Sequence, residues 1–351
     1  MQEDRMRIGA SPWHAGERTM QALIGVAERM EQVGRRVIRD FMPDQHRAFY
    51  ASQSSIVIGA VDPAGRAWAT WLEGAPGFMT SPDPRRLELA GLPAPGDPTR
   101  AGLAEGAAVG LLGIELSTRR RNRLNGQVRD RRPNGFAVEV EQSFGNCPQY
   151  ITRREPDAAT DAADPAADLV ETLSALDGDA QALIRAADTA FVASHVDPPD
   201  GGRRRSVDVS HRGGRPGFIR VEGDRLTIPE YPGNRHFNTL GNLLVNPRAG
   251  LLFVDFESGD VLQLSGSTRF LLGPPELDRF QGAERIWRFD VEAAVRRRAV
   301  LRMRMRRAGA PGQTAATGTR AGIDDAKRVA SDTAPRWPTP AAARPAPPER
   351  S

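Results

Sequence analysis

Val207-Asp208-Val209-Ser210-His211-Arg212-Gly213-Gly214-Arg215-Pro216-Gly217-Phe218 ends on a triplet that the chain has already spelled once, as Pro76-Gly77-Phe78. The displacement is 140 positions and it recurs, since Gly110-Leu111-Leu112 answers Gly250-Leu251-Leu252 and Asn125-Gly126 answers Ser265-Gly266. Upstream it is 135, where Ile56-Val57 answers Phe191-Val192 and Val61-Asp62 answers Val196-Asp197. A constant offset through apolar runs, with the change confined to the turn-forming stretch Pro199 to Arg204, is what duplication of one folded unit leaves behind. Two such units of about 110 residues can pack as a pseudo-dimer inside one chain.

A length of 351 residues agrees with two domains, each large enough for its own core. Net charge is +4, but Arg296 to Ser351 hold 13 basic and 4 acidic residues, so Met1 to Val295 sum to −5. Basicity belongs to an Ala/Pro/Arg/Thr tail that buries too little apolar surface to offset its ordering entropy, and Ala308 to Ser351 read as disordered. Lys327 is the only lysine, so the runs Arg119-Arg120-Arg121 and Arg203-Arg204-Arg205 read first as solvated hairpin tips. The acidic balance of the folded part and the lack of an aromatic platform argue against nucleic acid as partner. Cys147 is the only cysteine, which excludes an internal disulfide and a cysteine-rich metal site. With no signal-peptide pattern at Met1 and no run of ~18 apolar residues, the expectation is a soluble, cytoplasmic protein without a membrane partner.

Periodicity predicts an amphipathic helix over Thr19 to Arg39 with Thr19 as its cap, and a short helix over Pro43 to Ala51. Strands are expected at Ser55 to Val61, Trp68 to Leu72, Gly110 to Leu116, Arg123 to Arg129 and Gly135 to Phe144. The second unit repeats the order. Its helix is Asp177 to Ala187, followed by strands at Thr189 to Val196, Arg205 to His211, Gly217 to Glu222 and Arg225 to Ile228. A helix near Asn238 to Val245 then precedes strands at Gly250 to Phe256, Asp260 to Phe270 and Ile286 to Val295. Short strands joined by tight turns suggest a barrel in each half, the two halves completing one another.

Two clusters carry chemistry. Ser210, His211 and Arg212 gather where a strand stops, with Gly213 and Gly214 letting backbone approach a ligand; together they suit an anion. An exposed polar turn is the competing reading. In Tyr231-Pro-Gly-Asn234-Arg235-His236-Phe237-Asn238, followed by Asn242 and Asn246-Pro247, a helix begins just after a basic loop. Helix N-termini favour phosphate, though these Asn residues can also simply cap and turn. Arg119 to Arg123 and Asn125 can either be solvated or reach across to the other half's ligand. Cys147 has no histidine tied to it by spacing and reads as a packed residue; His14, His46 and His195 read as structural.

In motif order, Val207 to Phe218, Ile228-Pro, Gly233-Asn-Arg235, Asn242-Leu-Leu-Val-Asn-Pro247 and Gly250-Leu-Leu-Phe253 resemble the FMN-binding split barrel of the pyridoxamine 5'-phosphate oxidase-like proteins. The resemblance covers Asp177 to Val295, and the first half resembles the same barrel more faintly. Ser11-Pro-Trp-His-Ala-Gly-Glu17 and Gln142 to Ile151 are similar to tandem bacterial members of that superfamily. It implies a mainly β (α+β) chain of two tandem split β-barrels packed as an intrachain pseudo-dimer, with short helices.

The resemblance also implies FMN held between the barrels by Ser210, His211, Arg212, Gly213, Asn234, Arg235, Asn238 and Asn242. Arg212 would stand where the oxidases place a lysine beside the flavin, and Asn234 with Arg235 at the basic phosphate loop. The oxidases' further phosphate-binding arginine at the start of that strand is missing unless Arg205 reaches in. The C-terminal Arg/His signature for pyridoxal phosphate is absent, so vitamin B6 is not the expected substrate. The first half offers only Thr70-Trp71-Leu72 and Ala94-Pro95 at the matching positions, which predicts one complete site.

The expected organisation is residues 1–40 as a helical extension, 41–154 as the first barrel with a degenerate site, 155–170 as a linker, 171–300 as the FMN-binding barrel and 301–351 as a disordered tail. The expected function is that of an FMN-dependent oxidoreductase acting with an electron donor on a small molecule, as a monomer with an internal pseudo-dimer or as a homodimer. The alternative is a non-catalytic module that binds haem, deazaflavin F420 or a nucleotide on the same barrel. No catalytic acid or base is identified, since a flavin carries out its own electron chemistry.

Overall fold

The structure, a computed structural model, describes residues 11–157, 169–197, 205–271, 277–309 and Thr317. Strands β1 (Ser55–Val61), β2 (Ala67–Glu73), β3 (Met79–Thr80), β4 (Arg86–Leu89), β5 (Ala108–Glu115), β6 (Arg120–Arg132) and β7 (Gly135–Gly145) form an antiparallel sheet in the order β2-β1-β5-β6-β7-β4-β3. After β8 (Arg154–Pro156) and β9 (Val170–Leu173) come β10 (Thr189–Val196), β11 (Ser206–Gly213), β12 (Arg220–Glu222), β13 (Arg225–Glu230), β14 (Arg248–Val254), β15 (Val261–Leu271) and β16 (Arg285–Arg297). Their order, β11-β10-β14-β15-β16-β13-β12, follows the same path, with β9 added beside β16.

The likeness extends to irregularities. The ladder β6/β7 is bulged between Asn125 and Gly126, and β15/β16 between Ser265 and Gly266, the dipeptides that match in sequence. Gly77 and Gly217 adopt nearly equal φ of 89° and 86°, which a side chain would strain. The chain is mainly β, two tandem split barrels packed as an intrachain pseudo-dimer.

Strand β1 is buried along its whole length because both its faces are covered. Ile56, Ile58 and Ala60 enter the first barrel's core, while Val57 packs into a third cluster shared with Phe191, Ala193 and Val209 of the second half. Likewise, Ala190 and Val192 of β10 face their own core and Phe191 and Ala193 face across. Such strands read as continuous apolar runs rather than alternations. The halves also meet backbone to backbone. A Cβ on Gly110 of β5 would lie 2.9 Å from Val207 O, and one on Gly250 of β14 would lie 2.5 Å from Ala67 O, a reciprocal pair of contacts.

The expected helix Thr19 to Arg39 is two helices, α1 (Ala15–Leu23) and α2 (Ala27–Val37), separated at Gly25 with φ of 71°. Its cap is His14, not Thr19, whose hydroxyl donates to Ala15 O. Among the described residues the further helices are α3 (Asp44–Ser52), α4 (Gly178–Ala186) and α5 (Asn238–Val245), and a 3-10 turn runs over Pro98–Gly102. The start of the supposed tail is ordered, because Leu301 and Met305 are apolar enough to enter the core between the halves and β17 (Met305–Arg307) pairs with β8. Ala308 N donates to Arg153 O, and Thr317 is buried. The assumed linker likewise begins and ends in strand. Its middle, residues 158–168, the insertion at 198–204 and the rest of the tail lie outside the described residues.

Candidate functional site

Where β11 ends, a cleft of about 120 Å³ opens between the halves, lined by Ser210, His211, Arg212, Gly213, Asn234, Arg235 and Asn238. Asn242 is elsewhere: its amide donates to Ser194 Oγ at 3.0 Å and its Oδ1 lies 2.8 Å from His14 Nε2, so it ties helices together. From the first half, Arg121, Arg123, Asn146, Cys147 and Tyr150 line the same cleft. Arg121 and Arg123 are thus not solvated hairpin-tip residues, because alternate residues of β6 point toward the other half rather than to solvent.

Arg123 is 5% exposed and lies 2.8 Å from Asp208. It donates from Nη2 to Ser210 Oγ and from Nη1 to Asn238 Oδ1, each at 2.7 Å, and lies over the Phe144 ring. Ser210 Oγ donates to Asp208 at 3.0 Å and accepts from Thr239 at 2.8 Å as well as from Arg123. Its single proton and both lone pairs are engaged within the protein, and Ser210 holds the arginine in place at the cleft. Arg205 pairs with Asp197 at 2.5 Å on the surface and does not reach in. The other barrel does place two guanidinium groups, Arg121 and Arg123, in the cleft.

Arg212 and Arg235 share the cleft, but each is already neutralised. Arg212 Nε donates to Glu230 at 2.7 Å, where Trp287 Nε1 also donates, and Arg235 holds Glu284 through both Nη atoms. Arg121 differs. Its Nε donates to Cys147 O at 2.7 Å, and no carboxylate pairs with it among the described residues. Burial, with Arg123 and Arg212 close by, pulls its pKa down to about 9, so it stays cationic at neutral pH.

Beside it, His211 is 5% exposed and its Nε2 has no partner. Burial first, then the charges of Arg121, Arg212 and Arg154, hold His211 well below the ordinary histidine pKa, so its ring is neutral. Asn146 Nδ2 is buried and unpartnered as well. Helix α5 starts from Phe237, whose φ is 60°, with no side chain capping it, and Asn238, Thr239 and Leu240 line the cleft. Arg235 also has positive φ, and strain of this kind gathers where a loop is held for binding. Tyr150 and Tyr231 stack at 5.4 Å and 32° along the wall.

The pseudo-equivalent place in the first half is filled by protein. The 140-residue offset matches Arg123, Ser210 and Thr239 with Gln263, Thr70 and Thr99, and the strand registers match Asn146 with Arg297. There the Asp97 carboxylate, fully buried, accepts from Thr70, from Gln263 at 2.9 Å, from Thr99 N at 2.9 Å and from Arg297 at 2.7 Å. A carboxylate thus caps the 3-10 turn where, in the second half, Phe237 leaves α5 open.

The residues present fit a ligand with an anionic group and a planar polar body: one uncompensated guanidinium, an open helix start, unpaired His211 and Asn146 atoms, and stacked tyrosines. Among the described residues, no cluster of His, Cys, Asp and Glu is placed to hold a metal ion. No described helix is long and apolar enough to cross a membrane. Composition gave no direct signal for Glu230 or Glu284; only the folding of the chain brings them beside Arg212 and Arg235.

A scan of protein families matches residues 176–310 to the one described as pyridoxamine 5'-phosphate oxidase. No curated protein matches the chain. Among solved structures, a FAD-binding protein from Mesorhizobium loti is 17% identical, covering 36% of this chain and 98% of its own, with a TM-score of 0.26. A putative pyridoxamine 5'-phosphate oxidase from Lactobacillus delbrueckii is 16% identical over 30% of this chain and 95% of its own, TM-score 0.24. The haem storage protein HutZ from Vibrio cholerae is 15% identical over 35% and 94%, TM-score 0.24. Likenesses at this level say nothing of function.

Proposed function

Since residues 176–310 match the pyridoxamine 5'-phosphate oxidase family, we propose that the chain is an FMN-binding flavoprotein, an oxidoreductase that arose by internal duplication and kept one of two sites. The observation that carries this reading is Arg121, a half-buried guanidinium from one barrel with no carboxylate pairing with it among the described residues, which shares the cleft with the open start of α5 from the other. An anionic group there gains charge-assisted hydrogen bonds and the helix dipole together. Arg212 and Arg235, paired as they are, shape the walls and set polarity around the ring. Tyr150 and Tyr231 offer stacking area, and His211, neutral, offers a hydrogen-bonding atom to the ring's polar edge.

When bound, the flavin would supply the electron transfer itself, the protein supplying position and polarity. The substrate is a small molecule and works in the cytoplasm with a separate electron donor. Purified protein is expected to be yellow or to quench flavin fluorescence stoichiometrically when FMN is added. Protein that stays colourless and leaves added FMN fluorescence unchanged overturns the reading.

A second reading has one observation in its favour. The unpartnered Nε2 of the neutral His211 is the form of imidazole that ligates iron, so haem is the alternative occupant, and a Soret band on titration with hemin would select it.

A further inference from the structure

The N-terminal motif Ser11-Pro-Trp-His-Ala-Gly-Glu17 precedes the first barrel, yet Trp13, His14, Gly16 and Glu17 pack against α5 and the loop before it, behind the residues that line the cleft. Trp13 packs against the His236 ring at 5.0 Å. His14 Nδ1 accepts from Gly16 N, which leaves the proton on Nε2 to donate to Asn242 of α5 at 2.8 Å. Gly16 lies against the backbone of Gly241, where a Cβ on either residue would collide with the other helix. Glu17, 5% exposed, accepts from His14 N at 2.9 Å and from Asn238 Nδ2. Asn238 in turn presents Oδ1 to Arg123.

We infer that this motif supports the ligand site from behind and that Glu17 is a positioning residue, acting on the site through Asn238 and Arg123. The inference rests on the reading of the cleft as an anion site. An amide has one donor side and one acceptor side. By accepting from Nδ2, Glu17 turns Oδ1 toward Arg123 and fixes both that guanidinium and the first residue of α5. The groups facing Glu17 are His14 on its own helix, Asn238 on α5, Arg123 on β6 and Asp208 on β11.

Burial outweighs the bonds to His14 N and Asn238 and lifts the Glu17 pKa to about 8, with Asp208 adding to the rise and Arg123 opposing it. Glu17 is then largely neutral at pH 7 and becomes an anion beside the site above pH 8. Anion affinity should fall as pH rises through that value.

The test titrates full-length wild type, Glu17→Gln and Glu17→Ala with FMN and, in parallel, with inorganic pyrophosphate between pH 7 and 9, with melting temperatures as folding control. Expected are a wild-type affinity that weakens as pH rises through about 8, a flat profile for Glu17→Gln through that step, and about tenfold weaker binding in Glu17→Ala at pH 7, the scale of one hydrogen bond to a charged group. Variants whose affinities and pH profiles parallel the wild type overturn the inference, whatever their stability. Wild type that binds pyrophosphate but not FMN overturns the flavin reading alone, and the pyrophosphate profiles still decide the role of Glu17. Wild type that binds neither overturns both.

Discussion

Arg123, on a strand of the first barrel, stands 2.8 Å from Asp208, on a strand of the second, and both are at most 5% exposed. A buried pair of this kind is weak evidence for stability but costly to break, because either partner alone is an uncompensated charge. Arg123→Ala or Asp208→Ala should each destabilise the fold by about 3–5 kcal/mol. The double variant should lose clearly less than the sum, as measured by denaturant unfolding. Additive losses would mean that the pair is not coupled.

Arg121 should behave in the opposite way. Having no carboxylate to strand, Arg121→Ala should leave the melting temperature unchanged or raised, while FMN affinity falls by about 1.5–3 kcal/mol, the range for hydrogen bonds to charged groups. Arg212→Ala and Arg235→Ala leave Glu230 and Glu284 without their partners, so their effect should appear in stability as well. Calorimetric titration at fixed ionic strength separates the two patterns.

The interface between halves should be intolerant of one methyl group. In Gly250→Ala the new carbon would lie 2.5 Å from Ala67 O, a backbone atom that cannot swing aside. The expected cost is about 1–3 kcal/mol, as for overpacked cores, with Gly110→Ala behaving alike. Gly178→Ala, where nothing lies within 4 Å, is the control that should leave the unfolding midpoint nearly unchanged.

Acid should weaken the protein through its buried imidazoles. Burial, then the charge of Arg123, lowers the His236 pKa from 6.5 to about 4. Below pH 6.5 the unfolded chain takes up a proton that the folded site refuses, so stability present at neutral pH is lost as pH falls toward 4. His236→Phe, which keeps the ring between Trp13 and Phe144, should flatten the decline in melting temperature between pH 6.5 and 4. An unchanged decline would place the acid sensitivity elsewhere.

How far the site could be read from residues varied with distance along the chain. The run Ser210 to Gly213 and the loop Asn234 to Asn238 were legible because a strand end and a helix start each concentrate polar residues locally. Asn242 was not, since one helical turn separates a residue lining the cleft from one buried against α1. Glu17 and Arg123 lie 221 and 115 residues from Asn238, the residue that both of them bond, distances over which a single sequence has no periodicity to offer.

By itself the sequence determined the repeat of motifs at a constant offset and the succession of strands in each half, since backbone geometry demands particular residues at particular offsets; the sheet order and the bulges at Asn125 and Ser265 came from the strand pairing. What fills each of the two pseudo-equivalent places was decided only in the tertiary structure. There a buried carboxylate, Asp97, fills one place while a lone guanidinium, Arg121, is left over in the other, and the balance of buried charge is a property of what packs together, not of what is adjacent in the chain.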